Sequence, residues 1–197
     1  LRILGFLRTS DLMFVFRDRE VTRMEDLRNA KIRVTGGRVF QETMRSLQVS
    51  PVSMAASEMS TALAQGAIDG IFTSPAGWAE MIGMTGKYGW YVPGFSLSTY
   101  AITVDKGWFD GLPEAHRAAI VDAIADISPR QWQEVKVDDD ALIQKMIDQG
   151  AVFHVADDEE RARWQALSQE NAKLFSERYG DVVEQFNALG ARCGVGN

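Results

Sequence analysis

Arg33 is the residue whose chemistry points most directly to a ligand. It lies in the apolar run 31–35, which is followed at once by two glycines. A guanidinium carries a permanent charge and a planar fork of N–H donors that matches a carboxylate through two parallel hydrogen bonds. Arg33 is therefore the first candidate for binding an anionic solute. The alternative is a structural ion pair, for which Glu58, near a predicted helix start, is the candidate partner.

Hydroxyl and aromatic side chains cluster at the end of a later apolar run. Phe72, Thr73 and Ser74 close this run, and Trp78 follows one helical turn further on. The hydroxyls of Thr73 and Ser74 could donate to a solute, although Ser74 is also placed to cap the helix predicted from Pro75. Phe72 and Trp78 could wall the same pocket, or they could simply fill the core.

Catalytic chemistry lacks its usual parts. The two histidines, His116 and His154, stand near no recognisable nucleophile, and the single cysteine, Cys193, lies in a glycine-rich tail. The adjacent acids 138–140 lack the glycine and the distal glutamate of a calcium loop, so we interpret them as a solvated helix face. The glycine-containing segments have too few glycines to form a phosphate-binding loop. The sequence thus predicts a binding protein and not an enzyme, with no cofactor and no metal.

Composition narrows the class of partner. The 197 residues are 46% hydrophobic and 24% charged, which is ordinary for a globular protein, and the formal net charge is -6. An acidic chain without a cluster of Lys and Arg argues against a nucleic-acid partner. No apolar run approaches the length of a bilayer span, and the first residues lack the basic-then-apolar order of a signal peptide. A removed signal leaves no trace, so secretion stays open.

Apolar runs alternate with amphipathic helical runs between residues 31 and 75. Strands are predicted at 31–35, 49–54 and 68–72, and the helices between them would bury Phe40, Met44 and Leu47 and then Met59, Ala62 and Leu63. Ser57 is predicted to cap the second helix. The alternation predicts an α/β fold with parallel strands and crossover helices. Such a sheet has a ligand crevice at its strand ends, which would bring Arg33, Ser53 and Thr73 to one edge.

The remaining pattern predicts further strands and two long helices. The strands are at 1–7, 12–16, 88–92, 98–105 and 151–155, and the helices are at 113–149 and 157–189. Pro129 is expected to break or kink the first long helix. The second would bury Trp164, Leu167, Leu174 and Phe175. Asn29 is predicted to end a helical turn in the left-handed conformation.

Short motifs follow one another in a fixed order along nearly the whole chain. They are Leu4-Gly5, Asp26-Leu27, Lys31-Ile32-Arg33-Val34, Pro51-Val52-Ser53-Met54, Glu58 with Ala62-Leu63 and Gly66, Asp69-Gly70, and Trp108-Phe109-Asp110-Gly111-Leu112-Pro113. Their order and spacing together resemble the substrate-binding proteins of TRAP transporters, the DctP type. Some positions depart from the family pattern: Asn29 and Gln48 stand where glycine is usual, and Thr73 lies near a frequent asparagine. The solute therefore need not be the acid best known for the family.

The resemblance implies a periplasmic binding protein-like α/β fold, with two lobes joined by hinge strands, a long kinked helix and an incomplete first lobe. Residues 8–97 would form the second lobe, with the ligand-binding strand ends. Residues 1–7 and 98–197 would supply hinge strands, the long helix and the carboxy-terminal part of the first lobe. Because the long helix would lack part of its packing surface, the chain is expected either to self-associate or to occur together with the missing part of the first lobe.

The resemblance also implies a function. Such a protein captures a small organic acid between its lobes in the periplasm and delivers it to the membrane permease subunits of a TRAP transporter. In the family, the arginine of this strand grips a carboxylate, and Arg33 would have that role here. The other candidate ligand-binding residues are Glu58, Phe72, Thr73, Ser74 and Trp78. The competing interpretations are a ligand-sensing effector domain, which would normally bring a DNA-binding segment, and a fragment of a non-transport enzyme.

Overall fold

The structure, a computed structural model, describes the backbone of residues 1–192 and their side chains except at positions 39, 174, 175, 177, 178, 186, 187 and 190–192. The strands are β1 (Arg2–Asp11), β2 (Met13–Phe16), β3 (Lys31–Val34), β4 (Ser50–Ser53), β5 (Gly70–Thr73), β6 (Tyr88–Tyr91), β7 (Leu97–Val104) and β8 (Val152–Val155). The α-helices are α1 (Arg38–Ser46), α2 (Ala56–Ala64), α3 (Lys106–Asp110), α4 (Glu114–Asp148) and α5 (Asp158–Arg192). A 3₁₀ turn covers Met24–Leu27, and a π-helix at Gly77–Ile82 leads into a second 3₁₀ turn at Gly83–Thr85.

Six strands form one mixed sheet in the order β4-β3-β5-β2-β6-β8. Strand β2 runs antiparallel to both of its neighbours, and the other five strands are parallel to one another. The alternation of residues 31–75 therefore forms the parallel strands and crossover helices that its pattern predicts. All five parallel strands end at the same edge of the sheet, where β2 begins. We call this the carboxyl edge.

Helices cover both faces of this sheet, which explains why β2 and β5 are buried along their whole length. The first core, on the face of α1 and α5, includes Phe14, Phe16, Ile32, Val34, Met44, Leu47, Phe72, Trp90 and Trp164. The second core, on the face of α2 and the π-helix, includes Met13, Val15, Met59, Leu63, Ile71, Trp78, Ile82 and Met146. Successive residues of a strand point to opposite faces, so the strands alternate between the two cores.

Strands β1 and β7 form a separate antiparallel ribbon, and α4 packs along it. The side chain of Gln131 in α4 holds the main chain of Arg8 in β1. Its amide oxygen accepts from the Arg8 N–H at 2.9 Å, and its amide nitrogen donates to the Arg8 carbonyl oxygen at 2.7 Å. Further along α4, Met146 is buried in the second core. Helix α4 thus ties the ribbon to the sheet.

Several local expectations are confirmed and others are wrong. Asn29 has the predicted left-handed φ of 61°, and Gln48 has a φ of 58°. Helix α4 continues through Pro129, which excludes a break, the first of the two expected alternatives. Ser57 does not cap α2, because the helix begins after Ala55, whose main-chain N–H donates to the Glu58 carboxylate at 3.2 Å. Only the Glu58 half of a capping box is present, because alanine has no side-chain acceptor for the reciprocal bond, and the helix starts two residues earlier than expected.

The last part of the chain differs from the expectation in where strand β8 lies. Strand β8 pairs with β6 in the six-stranded sheet, although residues 98–197 were assigned to the hinge and the first lobe. A short apolar strand carries no local signal for its neighbour, because pairing is set by tertiary packing. Trp164 of α5 is buried as expected. Expectations for the side chains of Leu174 and Phe175, and for Cys193, fall outside the described residues.

One further property concerns membranes. Among the described residues, no helix is both long enough and apolar enough to cross a bilayer.

Candidate functional site

Three polar side chains project from the second-core face of the sheet near the carboxyl edge. Arg33 lies in β3 between two residues of the first core, so its side chain points to the opposite face. Thr73 ends β5 and follows the same rule, since Phe72 before it packs in the first core. Tyr91 ends β6 and packs against the second core. The prediction that the ends of β3, β4 and β5 share one edge is confirmed.

Arg33 is almost completely buried, with 3% of its surface exposed. Its Nε donates to the main-chain carbonyl oxygen of Met54 at 3.1 Å. Among the described residues, no carboxylate forms an ion pair with it. Burial lowers the pKa of Arg33 from its ordinary value, because the charged form loses hydration. A guanidinium nevertheless stays charged, so the protein maintains a buried cation that lacks a described counter-ion. Such a charge costs free energy until an anion binds it.

Glu58 was the alternative partner for Arg33. It is exposed near the start of α2, where its carboxylate accepts the Ala55 N–H. The structure gives it no ion pair with any described residue. A structural Arg33–Glu58 pair is therefore not what buries the arginine.

Thr73 and Ser74 have different surroundings. The Ser74 hydroxyl accepts from the Gly77 N–H at 3.0 Å, and the Ser74 carbonyl oxygen accepts from the Trp78 N–H at 2.9 Å. Ser74 thus caps the helical segment after β5, as its sequence position allowed. Thr73 is 7% exposed, and a Cβ added at Gly77 would lie 2.2 Å from its Oγ1. The glycine allows the segment to pack directly on Thr73.

Phe72 and Trp78 do not share a pocket wall. Both are fully buried, and they lie on opposite faces of the sheet. The Phe72 ring lies 4.7 Å from that of Phe14 in the first core. The Trp78 ring lies 6.0 Å from that of Phe153 on the other face, and its Nε1 donates to the Gly86 carbonyl oxygen at 2.7 Å. The alternative that these aromatics fill the core is the one that the structure adopts.

A polar cluster for which the sequence gives no local signal lies at the same edge, where the end of β1 meets the start of β2. The Asp11 carboxylate accepts from the Tyr91 hydroxyl at 2.8 Å and pairs with Arg8 Nη2 at 2.7 Å. The Ser10 hydroxyl donates to the Asp139 carboxylate at 2.8 Å. We call these five residues the edge cluster. They come from three distant elements, β1, β6 and α4, and no local pattern signals that they meet.

Two residues of the edge cluster have pKa values shifted from their ordinary range. Burial, with the nearby Asp11 carboxylate, raises the pKa of the Tyr91 hydroxyl. Burial is also the main cause that raises the pKa of Asp139, while the hydrogen bond from Ser10 acts in the opposite direction. Asp139 was expected on a solvated helix face and is half-buried instead. Its neighbours Asp138 and Asp140 are exposed, as that interpretation requires.

Metal chemistry finds no support in the part of the chain that the structure describes. No group of three or more His, Cys, Asp or Glu residues there is placed to hold a metal ion.

One cavity of about 460 Å³ lies between the loop after β6 and the start of α5. Its lining includes Phe95, Arg161, Trp164 and Gln165, and Arg33 does not line it.

Comparison with known proteins gives one family and one curated relative. The profile of the bacterial extracellular solute-binding proteins, family 7 (DctP), matches residues 1–178. The C4-dicarboxylate-binding periplasmic protein DctP of Rhodobacter capsulatus is 28% identical over 162 residues. That match covers 81% of this chain and 48% of the relative, so the chain spans about half the length of the relative.

Solved structures share the fold. A TRAP periplasmic solute-binding protein of Desulfovibrio salexigens, with bound orotic acid, has a TM-score of 0.85 at 15% identity and covers 96% of this chain and 61% of its own. A similar protein of a Sulfitobacter species, with bound β-D-galacturonate, has a TM-score of 0.81 at 16% identity. The match covers 94% of this chain and 61% of that protein. At these identities the likeness establishes the fold alone.

Proposed function

Because the chain belongs to the bacterial extracellular solute-binding proteins of family 7, the DctP family, we propose that it acts as the solute-binding protein of a TRAP-type transporter. In this role it captures a small organic acid in the periplasm and delivers it to membrane permease subunits. The curated relative is named for C4-dicarboxylates, and the two solved structures hold orotic acid and β-D-galacturonate. All of these ligands carry a carboxylate.

The observation that carries this proposal is the state of Arg33. Its guanidinium is buried near the carboxyl edge with no described counter-ion, and Nε is occupied by the Met54 carbonyl oxygen. A carboxylate that reaches the terminal nitrogens would supply the missing charge and accept charge-assisted hydrogen bonds. Thr73, on the same face, is the neutral side chain best placed to accompany it. Glu58 and Ser74 support the loops around the site through the helix caps that they form.

The same proposal assigns roles to the two sheets. Residues 8–97 form one lobe, to which we add β8 because it pairs with β6. The β1–β7 ribbon and α4 connect this lobe to the second wall of the solute pocket. Ligand pockets are common at such interfaces, and hinge closure around the solute would exclude water from it. The family assignment favours this role over a sensing domain or an enzyme fragment.

Isothermal titration calorimetry on the complete encoded protein tests the proposal. We expect at least one of L-malate, D-glucuronate and orotate to bind, and neutral D-glucose not to bind. Arg33→Lys keeps the charge and removes the planar fork of donors. It should therefore lower the affinity for the acid at least ten-fold while the protein stays folded. Arg38→Lys, on the exposed face of α1, is the matched control. Binding of glucose alone, or an acid affinity unchanged in Arg33→Lys, would contradict the proposal.

A further inference from the structure

The ribbon and the six-stranded sheet are joined at a narrow junction. Leu12 is the single residue between β1 and β2, and residues 92–96 connect β6 to β7. Among the described residues, one main-chain hydrogen bond links these two connections, from the Leu12 N–H to the Ser96 carbonyl oxygen at 3.4 Å. Helix α4 is the third connection, since it packs along β1 and buries Met146 in the second core. A few hinge residues and a small slide of a packed helix are enough to let one body turn against another.

On the ribbon side of this junction, side chains of α4 hold β1. The Gln131 amide bonds to the main chain of β1 in both directions. One residue further on, Trp132 Nε1 donates to the Phe6 carbonyl oxygen at 3.3 Å. The Ser10 hydroxyl donates to the Asp139 carboxylate at 2.8 Å. Strand β1 and this part of α4 therefore form one body.

On the sheet side, the contact to β1 is concentrated in Tyr91. Within the described part of the chain, its hydroxyl makes the one side-chain hydrogen bond from the six-stranded sheet to β1, to the Asp11 carboxylate at 2.8 Å. Tyr91 is the last residue of β6 and Asp11 is the last residue of β1, so the bond spans the junction itself. Burial raises the pKa of the Tyr91 hydroxyl, which therefore keeps its proton and remains a donor.

Arg8 positions the acceptor of this bond. Its Nη2 pairs with the same Asp11 oxygen, Oδ2, at 2.7 Å, and its side chain is only 12% exposed. The Arg8 Nε is buried and has no hydrogen-bond partner among the described residues. Such an incompletely satisfied buried pair adds little stability, and a role in specifying one arrangement is the better account of it. The ionised carboxylate that it maintains is also a stronger acceptor for the Tyr91 hydroxyl than a neutral group.

We propose that the Tyr91–Asp11 hydrogen bond, with Arg8 beside it, is a latch that holds the ribbon and α4 at one angle to the six-stranded sheet. When this bond opens, the connections at Leu12 and 92–96 allow the ribbon to turn, and other angles become populated. Under the proposed function, on which this consequence rests, the angle determines how far the solute cleft beside Arg33 opens. Tyr91 and Asp11 are therefore positioning residues that act without touching the solute.

Distances between two spin labels, measured by double electron–electron resonance on the unliganded complete encoded protein, test the latch. Cys193 is replaced by serine, and the labels are attached to cysteines introduced for Thr61 in α2 and Asp122 in α4, both of which are exposed. We expect the wild type to have mainly the distance of this structure. Tyr91→Phe removes one oxygen atom and should lower that population at least three-fold.

Tyr88→Phe is the matched control, because Tyr88 begins the same strand and its hydroxyl makes no hydrogen bond to the described residues. It should leave the distance distribution unchanged. An unchanged distribution in folded Tyr91→Phe would overturn the latch, and so would a wild type with several equally populated distances.

A double-mutant cycle tests the pair itself. Asp11→Asn keeps an acceptor oxygen and removes the charge that pairs with Arg8, so it should shift the distribution in the same direction as Tyr91→Phe. The double variant should shift it no further than the larger single change, because both changes remove one interaction. Additive shifts would contradict the pairing. The exposed Asp140→Asn is the control for the loss of a charge.

Thermal unfolding shows which variants are folded, and whichever of Tyr91→Phe and Asp11→Asn folds decides the outcome. The measurement contains no solute. A failure of the latch would therefore leave the proposed function intact, and a failure of solute binding would leave the latch intact.

Discussion

The Nε atom of Arg33 donates to the main-chain carbonyl oxygen of Met54 at 3.1 Å, just beyond the end of the neighbouring strand β4. This bond fixes the side chain toward the second-core face and leaves the two terminal nitrogens for another acceptor. An arginine that is 3% exposed and held in this way is prepared for an anion before the anion arrives. Such preorganisation reduces the ordering cost of binding.

Arg33→Met should separate binding from stability. Methionine fills a similar volume without a charge, so the free energy of unfolding of the unliganded protein should stay within about 1 kcal/mol of the wild type, or rise. Acid binding should be lost. Urea denaturation and calorimetry measure the two effects. A destabilisation of about 3–5 kcal/mol would instead indicate that Arg33 belongs to a buried ion pair.

Ser74→Ala should remove a helix cap and leave solute affinity nearly unchanged. The Ser74 hydroxyl already accepts the Gly77 N–H, so we expect a loss of about 1 kcal/mol in the free energy of unfolding. Affinity should change less than two-fold. Ser57→Ala is the matched control, since Ser57 does not cap α2, and it should cost less than about 0.5 kcal/mol. A large loss of affinity in Ser74→Ala would show that this hydroxyl contacts the solute.

Gly77→Ala should destabilise the protein through a steric clash. The added Cβ would lie 2.2 Å from Thr73 Oγ1, so either the side chain or the π-helix must shift. We expect a loss of about 1–3 kcal/mol in the free energy of unfolding, measured by urea denaturation. Gly180→Ala in α5 is the control, because an added Cβ there meets no described atom within 4 Å. Equal stabilities of the two variants would contradict this account of Gly77.

The Glu25–Arg163 ion pair should make a small part of the stability dependent on pH. The hydrogen bonds from Arg163 lower the pKa of Glu25 to about 2, from 4.5. Because the folded pKa is below the unfolded one, the stabilisation is complete above about 4.5 and is lost as the pH falls toward 2. The pair is well exposed, so Glu25→Gln should cost only about 0.5 kcal/mol at pH 7. Denaturation at pH 7 and pH 3, with Glu159→Gln as control, should show the difference shrinking in acid.

The 197-residue chain should self-associate. Phe6, Tyr100 and Trp108, on the ribbon and α3, are each at least half exposed. Large apolar side chains that are exposed to solvent favour association. Light scattering after size-exclusion chromatography should show a mass above that of one 21.9 kDa chain, increasing with concentration. A monomer of constant mass at all concentrations would contradict the expectation.

The sequence by itself determined the features that depend on local pattern. The alternation of strands and amphipathic helices identified the parallel strands and their common edge, and the placement of Arg33 near that edge followed. The Ser74 cap and the left-handed Asn29 were also predictable, since capping and left-handed turns depend on residue type and near neighbours. These signals extend over a few residues, which is why they can be read without a structure.

Only the tertiary structure decided which distant residues meet. Tyr91 and Asp11 are 80 residues apart and Ser10 and Asp139 are 129 apart, yet they form one cluster beside β6. Phe72 and Trp78 are close in sequence and lie on opposite faces of the sheet. Strand β8 joins a sheet whose other strands precede it by at least 60 residues. Such contacts depend on how whole elements pack, and the hydrophobic pattern that builds each element does not specify its neighbours.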